Sequence, residues 1–346
     1  MMRRMMRLSR GLIRCVSLGG VGGSSGLADY GDKWFDQRTL TARFEMNLTD
    51  TVEVIPKPIL NLMAMLALLG DTKHPVSPLP TPESSPIGVI ATSSAASPAS
   101  PAGDAGQVVE VAVLAYNSGE LGEDCQAHCN ASLEFRLAGL GGLRNGVMRH
   151  FQIDDGHGNP RATWSSFGGA ANPYPTPAQF VALRASAELS LLASGPVTPA
   201  PIGPDGHDAG LNLSVTLPQP GVALLHICLL KTDALPAPPA KVGQVLLRAT
   251  PTKAPPTTFV RWAPASARCL AGYDVVAAPS TAGPAGPYTS VAAAAAAAGG
   301  GGGGGSLFAY YVHAQSELAA VPAGCFKVRA VDVWGQAGEW SDAACH

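Results

Sequence analysis

Residues 132–137 read SLEFRL, with Leu133, Phe135 and Leu137 on one side of an alternating stretch and Glu134 and Arg136 on the other. Period-two alternation marks a strand with one face on a core and the other in water. The flanking segments repeat the pattern. VVEVAVLAY (108–116) precedes it across a Gly-, Asp- and Cys-rich loop at 117–130, and GVMRHFQI (146–153) follows, ending in the turn sequence DDGHGNP. LNLSVTL (211–217) and VALLHICLL (222–230) complete the set. One helix interrupts it: Thr176 is a natural N-cap, Pro177 suits the first helical position, and Phe180, Leu183 and Ala187 recur at helical spacing. Residues 107–232 are therefore expected to form an antiparallel β-sandwich with one helix.

A Pro/Ala linker at 233–240 leads to a second all-β unit over 241–346. FVRW (259–262), YDVVAA (273–278), LFAYYVHA (307–314) and CFKVRAVDVWG (325–335) are spaced as the strands of a small sandwich. The run AAAAAAAGGGGGGG (292–305) between them is too short in Ala and too rich in Gly to hold a helix, and reads as a loop insertion. Trp262, Tyr273 and Trp334 suit core and turn positions, because a small sandwich needs rings to fill its interior.

Upstream of the first sandwich, residues 72–106 are dominated by Pro, Ser and Ala and read as an extended linker. Before them, QRTLTARFEMN (37–47) alternates as a strand with Leu40, Ala42, Phe44 and Met46 on one face, which Arg38 shares. After PKP a helix is expected from about Pro58 to Leu69, closed by Gly70. A single strand and helix cannot cover both faces of the strand, so residues 29–71 look like one α/β unit of a larger parallel sheet.

Composition excludes several classes. The formal charge is −2 with 14% charged residues, which supplies no field to hold nucleic acid or an anionic membrane. No apolar run reaches the roughly 18–20 residues that span a bilayer; ILNLMAMLALL (59–69) is interrupted by Asn61. Seven cysteines and three N-x-S/T sequons, at Asn47, Asn130 and Asn212, lean toward the secretory pathway and N-glycosylation. The first 28 residues carry five arginines and no acid. They read either as an organelle-type leader or as an arbitrary start without meaning.

Taken in order, QRTLTARFEMN, KPILNLMAMLALLGD, MRHFQIDDGHGNPRATWSSFG, NPYPTPAQFVALRASAE, LLHICLL and FKVRAVDVWGQAGEWSD resemble the C-terminal half of glycoside hydrolase family 39 over most of residues 36–345. The resemblance implies a mainly β chain. It would hold the remnant of the last β/α unit of a TIM barrel, then a β-sandwich, then a fibronectin type III-like sandwich. It implies a retaining hydrolase acting on a terminal uronic acid of an anionic polysaccharide, with no cofactor, and a lysosomal or secreted location. Within it, Arg38 matches an arginine that holds the substrate carboxylate, where a planar fork is the apt partner. The rival fate for Arg38 is a surface arginine that snorkels past an apolar face.

A retaining glycosidase needs two carboxyl groups about 5–5.5 Å apart. The family carries that pair upstream of the segment matching QRTLTARF, so no catalytic residue is assigned to this chain. Asp29, Asp32 and Asp36 lie nearby, but their spacing to Arg38 departs from the family pattern and no role is carried over. The chain is expected to be an incomplete, inactive C-terminal portion. A non-catalytic carbohydrate-binding or adhesion protein of two sandwiches is the alternative, and an incomplete product of a longer coding region a third.

No metal site is assigned either. Cys125 and Cys129 flank His128 without a second Cys/His pair, and read as a local disulfide or two loop thiols. HFQIDDGHGNP lacks the spacing of a calcium loop and reads as a structural turn. Cys228 in LLHICLL reads as a buried thiol. Cys269, Cys325 and Cys345 suffice for one disulfide with one cysteine left over, the pairing open.

Overall fold

A computed structural model describes residues 40–46, 51–77, 86–94, 108–118, 130–172, 174–202, 208–249, 257–265, 269–279, 283–292, 309–314 and 323–345. The chain divides into two compact units. The first holds most of the residues up to Ala234, and the second runs chiefly from Leu235 to His346.

The first unit is built on a six-stranded antiparallel sheet. Its strands are β3 (Thr72–His74), β4 (Ile87–Ser94), β5 (Val108–Asn117), β7 (Gly146–Ile153), β8 (Ser190–Val197) and β11 (Gly221–Leu230), in the order β3-β4-β5-β11-β7-β8. A three-stranded sheet faces it, with β10 (Asp208–Pro218) between β6 (Asn130–Leu137) and β9 (Ala200–Ile202). Val111 and Val113 of β5, Leu225, Ile227 and Leu229 of β11, and Leu211 and Leu213 of β10 fill the space between the sheets, with Phe135 and Leu137 of β6 at its margin. Each such side chain contributes about 1.5–3 kcal/mol by leaving water. The outward residues of β6 and β10 stay exposed, as the alternation of SLEFRL requires.

Strand β11 is buried at every position because both its faces are covered. Its odd-numbered residues from Leu225 to Leu229 enter the sandwich core, while His226 and Cys228 point to the opposite face of the sheet. Helices lie along the chain between β7 and β8: α2 (Pro160–Ser166), a 3-10 turn (Gly169–Ala171) and α3 (Pro177–Ala187). The single helix expected in the sandwich is α3. Thr176 Oγ1 accepts from Gln179 N at 3.3 Å while Gln179 Oε1 accepts from Thr176 N at 2.8 Å, a reciprocal cap. Helix α2 is an addition, started by Asn159, whose side chain accepts from Arg161 N at 3.2 Å, with Pro160 in the first turn.

Two expectations for the amino-terminal part are corrected. The stretch 72–106 is not wholly linker, since β3 and β4 lie within it and β4 pairs along its whole length with β5. An eight-residue strand inside a Pro/Ser-rich tract is invisible to averaged composition. The opening strand is also not followed directly by a helix. β1 (Thr41–Met46) pairs with β2 (Thr51–Pro56), and only then comes α1 (Pro58–Ala67). The short connection at 47–50 cannot make the crossover that parallel partners need. Among the described residues no closed barrel forms. Ala42 and Phe44 are buried as the alternation requires, but Leu40 is 47% exposed.

The second unit packs two antiparallel sheets. One has β13 (Thr257–Trp262) between β12 (Val245–Ala249) and β16 (Tyr310–Ala314). The other runs β15 (Thr289–Ala292), β14 (Leu270–Pro279), β17 (Ala323–Asp332), β18 (Ala344–Cys345). Val260, Trp262, Tyr273, Val275, Phe326 and Val328 form its core. Trp262 and Tyr273 meet edge to face at 5.2 Å, so both rings fill the interior as anticipated. Cys325 and Cys345 sit opposite each other on β17 and β18 and are disulfide-bonded. Cys269 is disulfide-bonded as well, so it is not left over.

Candidate functional site

Arg38 and Asn47 lie outside the described residues. What the structure does describe is the framework that begins two residues after Arg38. Leu40 O accepts from Lys57 N at 3.0 Å, tying the start of β1 to the residue before α1. Phe44 of β1 packs edge to face on Phe180 of α3, centroids 5.4 Å apart. Glu53 of β2 pairs with Arg184 of α3, whose guanidinium also lies 5.9 Å from the Phe180 ring centre.

Asn61 completes this framework. It is 2% exposed, in the first half of α1, and its Nδ2 donates to Ala187 O at 2.8 Å and to Gly158 O at 3.1 Å. One amide therefore satisfies a carbonyl at the C-terminal end of α3 and another in the turn after β7. Gly158 has φ +62°, and a Cβ there would come 3.1 Å from Asn61 Nδ2, so both the turn and the amide need glycine. In the sequence Asn61 is merely a break in an apolar run. The signal that could have marked it is its position four residues before buried Met65, on the covered face of the helix.

The turn DDGHGNP is structural, as read. The Asp154 carboxylate, nearly buried, accepts from Gln152 Nε2 at 2.5 Å and from Gly156 N at 2.7 Å, and lies 2.9 Å from His157 Nδ1. Asp154 N donates to His157 O at 3.0 Å, closing the loop on itself. Its acceptor capacity is spent on its own turn. Nearby His150 is pushed below the usual imidazole range, first by burial and then by the charge of His157.

On the face of the six-stranded sheet away from the sandwich core lies a polar row that sequence reasoning missed. His226 of β11 stands opposite Arg149 of β7, and the two are 1% and 3% exposed. His226 Nε2 is 3.6 Å from Glu110 Oε1. Arg149 stacks its guanidinium 4.7 Å from the Phe151 ring centre, and burial pulls its pKa down to about 10, which leaves it charged at neutral pH. Glu110, His226 and Cys228 bring ligand-type atoms within 4.8 Å of one another. Cys228 is disulfide-bonded rather than a free thiol, so it offers no thiolate to a metal ion. The alternation gave its burial; no periodicity carries its bonding state.

Asn130 at the start of β6 and Asn212 on β10 are both exposed, and so are the sequon hydroxyl residues Ser132 and Ser214. They stand on the outward face of the three-stranded sheet, where β6 and β10 pair in register from Asn130–Pro218 to Leu137–Leu211. Among the described residues no helix is long and apolar enough to cross a membrane.

Residues 28–198 match the model of the glycosyl hydrolases family 39. Human α-L-iduronidase is 33% identical over 322 residues, covering 89% of this chain and 42% of the relative. The dog enzyme, Canis lupus familiaris α-L-iduronidase, is 30% identical over 318 residues with the same coverage. A crystal structure of the bacterial orthologue of human α-L-iduronidase superposes with a TM-score of 0.62 at 20% identity, covering 88% of this chain and 46% of that one. The chain thus spans less than half the length of these relatives.

Proposed function

We propose, from the match of residues 28–198 to the model of the glycosyl hydrolases family 39, that the chain is a member of that family and the C-terminal part of an α-L-iduronidase-like hydrolase of terminal uronic acids in anionic polysaccharides. The observation that carries this reading is the 33% identity with human α-L-iduronidase over 89% of the chain. It spans the β1–β2–α1 framework as well as both sandwiches, so it does not reflect one common module.

In this reading Arg38 holds the substrate carboxylate through a bidentate pair. The acid/base and nucleophilic carboxylates of a retaining mechanism come from polypeptide other than residues 1–346, and the chain alone is incomplete and inactive. The strand order of the second unit, β12-β13-β16 against β15-β14-β17-β18, supports a fibronectin type III arrangement. The exposure of Asn130 and Asn212 supports N-glycan attachment in a lysosomal or secreted protein, with Asn47 the third acceptor.

The decisive experiment assays purified residues 1–346 on a fluorogenic α-L-iduronide, alongside the intact mass of the natural polypeptide before and after N-glycan removal. No turnover above background, with a deglycosylated mass above 35.3 kDa, is the expected result. Turnover by the isolated chain would refute the assignment of the catalytic pair elsewhere.

A further inference from the structure

We propose that the outward face of β12 and β13 in the second unit is a docking face for an anionic polysaccharide chain. The face itself follows from register, exposure and charge; that its ligand is a polysaccharide rests also on the function proposed above. Val245, Val260 and Trp262 enter the core of the unit, and Leu247 packs against it. Strand alternation therefore turns Leu246, Arg248, Phe259 and Arg261 outward. In the register of the pair, Arg248 stands opposite Phe259 and Arg261 opposite Leu246. The four make a checkerboard, with guanidinium groups on one diagonal and apolar side chains on the other, diagonal neighbours lying about 7–8 Å apart on such a sheet. Both arginines are exposed, Phe259 is half-buried, and Leu246 is 54% exposed.

Charge singles this face out. Arg144, Arg184 and Arg329 are paired with Asp233, Glu53 and Asp274, whereas among the described residues Arg248 and Arg261 have no acid partner. The strands VLLRA and TTFVRW contain no acid, and none occurs between Asp233 and Asp274, a stretch that holds Lys241, Arg248, Lys253, Arg261 and Arg268. A chain of net charge −2 thus concentrates one sign here. A face kept polar for solubility alone interleaves both signs, and two like charges at neighbouring positions repel. Bound anions relieve that repulsion, and each arginine fork grips a carboxylate or sulfate through two parallel N–H donors. The apolar diagonal then selects among anionic polymers. An acidic sugar chain carries C–H patches on its rings beside its anionic groups, and those patches cover Leu246 and Phe259; a nucleic acid duplex meets such a face chiefly with its phosphates.

Calorimetric titration of residues 1–346 with a heparin octasaccharide at low ionic strength tests this, and hydrogen exchange locates the contact. The octasaccharide should slow exchange in peptides covering 245–249 and 257–262, and binding should weaken as salt screens the arginines. Arg248→Gln/Arg261→Gln should weaken binding about five- to tenfold, the combined effect of two exposed ion pairs. Arg248→Lys/Arg261→Lys keeps the charge without the fork and should fall between that pair and the wild type. Arg136→Gln/Arg144→Gln removes the same charge from exposed positions of the first unit and should stay within about twofold of wild type. Equal losses in the two Gln pairs would reduce the attraction to net charge and overturn the proposal. Undetectable binding by the wild type, or tighter binding of a DNA duplex of equal charge, would overturn it too. These readings involve no turnover, so they stand apart from the fluorogenic assay: an unbound octasaccharide refutes the face, and hydrolysis by the isolated chain refutes the functional assignment.

Discussion

Phe44 and Phe180 stand edge to face with their planes 83° apart, a strand residue from the family-matched amino-terminal segment locked onto a helix of the sandwich. Both rings are buried, Phe44 completely. Truncating Phe180 to Ala should cost about 3–5 kcal/mol, the transfer term plus an unfilled cavity. Phe180→Leu, which refills most of the space, should cost clearly less. Urea unfolding of the three proteins checks the order, and equal midpoints for all three would show that the contact contributes nothing.

The Asp154 turn offers a second test. Its carboxylate gathers donors from Gln152, Gly156 and His157, and removing it strands those groups at a nearly buried position. Asp154→Ala should lower unfolding free energy by about 1.5–3 kcal/mol, the range for hydrogen bonds to a charged group. Asp155→Ala, at the exposed neighbour, should lie within about 0.5 kcal/mol of wild type.

Asp342 gives a pH dependence with a definite sign. The hydrogen bond from Lys241 Nζ, 2.8 Å away, and then the charge of that lysine hold its carboxyl below the ordinary aspartate range. A depressed folded-state pKa means that the contribution is fully present above the unfolded value near 3.9 and disappears as pH falls through the folded value. The stability difference between wild type and Lys241→Met should therefore shrink in the acid window below about pH 4. Because the pair is exposed, molar salt should shrink it at neutral pH too.

The Cys325–Cys345 bridge closes a sequence separation of 20 residues. The loss of chain entropy in the unfolded state predicts about 3 kcal/mol for a loop of this size. Replacing both cysteines by Ala should lower the second unit's stability by that order. The two single replacements should match the double one. Calorimetry resolving the two units is the measurement, and an unchanged transition for the second unit would contradict the prediction.

Legibility of the sequence tracked how local the cause of each element was. SLEFRL, LNLSVTL and the Thr176 N-cap of α3 could be read because alternation and capping chemistry act over a few residues. Strand β4 could not, because IGVIATSS sits among prolines and serines and owes its state to pairing with β5. Strand β2, TVEVIP, was hidden by its neighbourhood to PKP, where the turn signal outweighed a short alternating stretch. At the site, the polar row of Arg149, His226 and Glu110 comes from three strands far apart in sequence, so only the register of β5, β11 and β7 brings it together. Asn61 was visible as an interruption, but its two acceptors, 97 and 126 residues away, were not.

Strand β11, sealed on both sides, is a party wall. A substitution there cannot be absorbed by one room of the building, since a side chain enlarged toward the sandwich shifts the backbone that presents His226 and Cys228 on the other side. Variation among natural versions of this chain should accordingly collect on the outward residues of β6 and β10, leaving GVALLHICLL the slowest segment to drift.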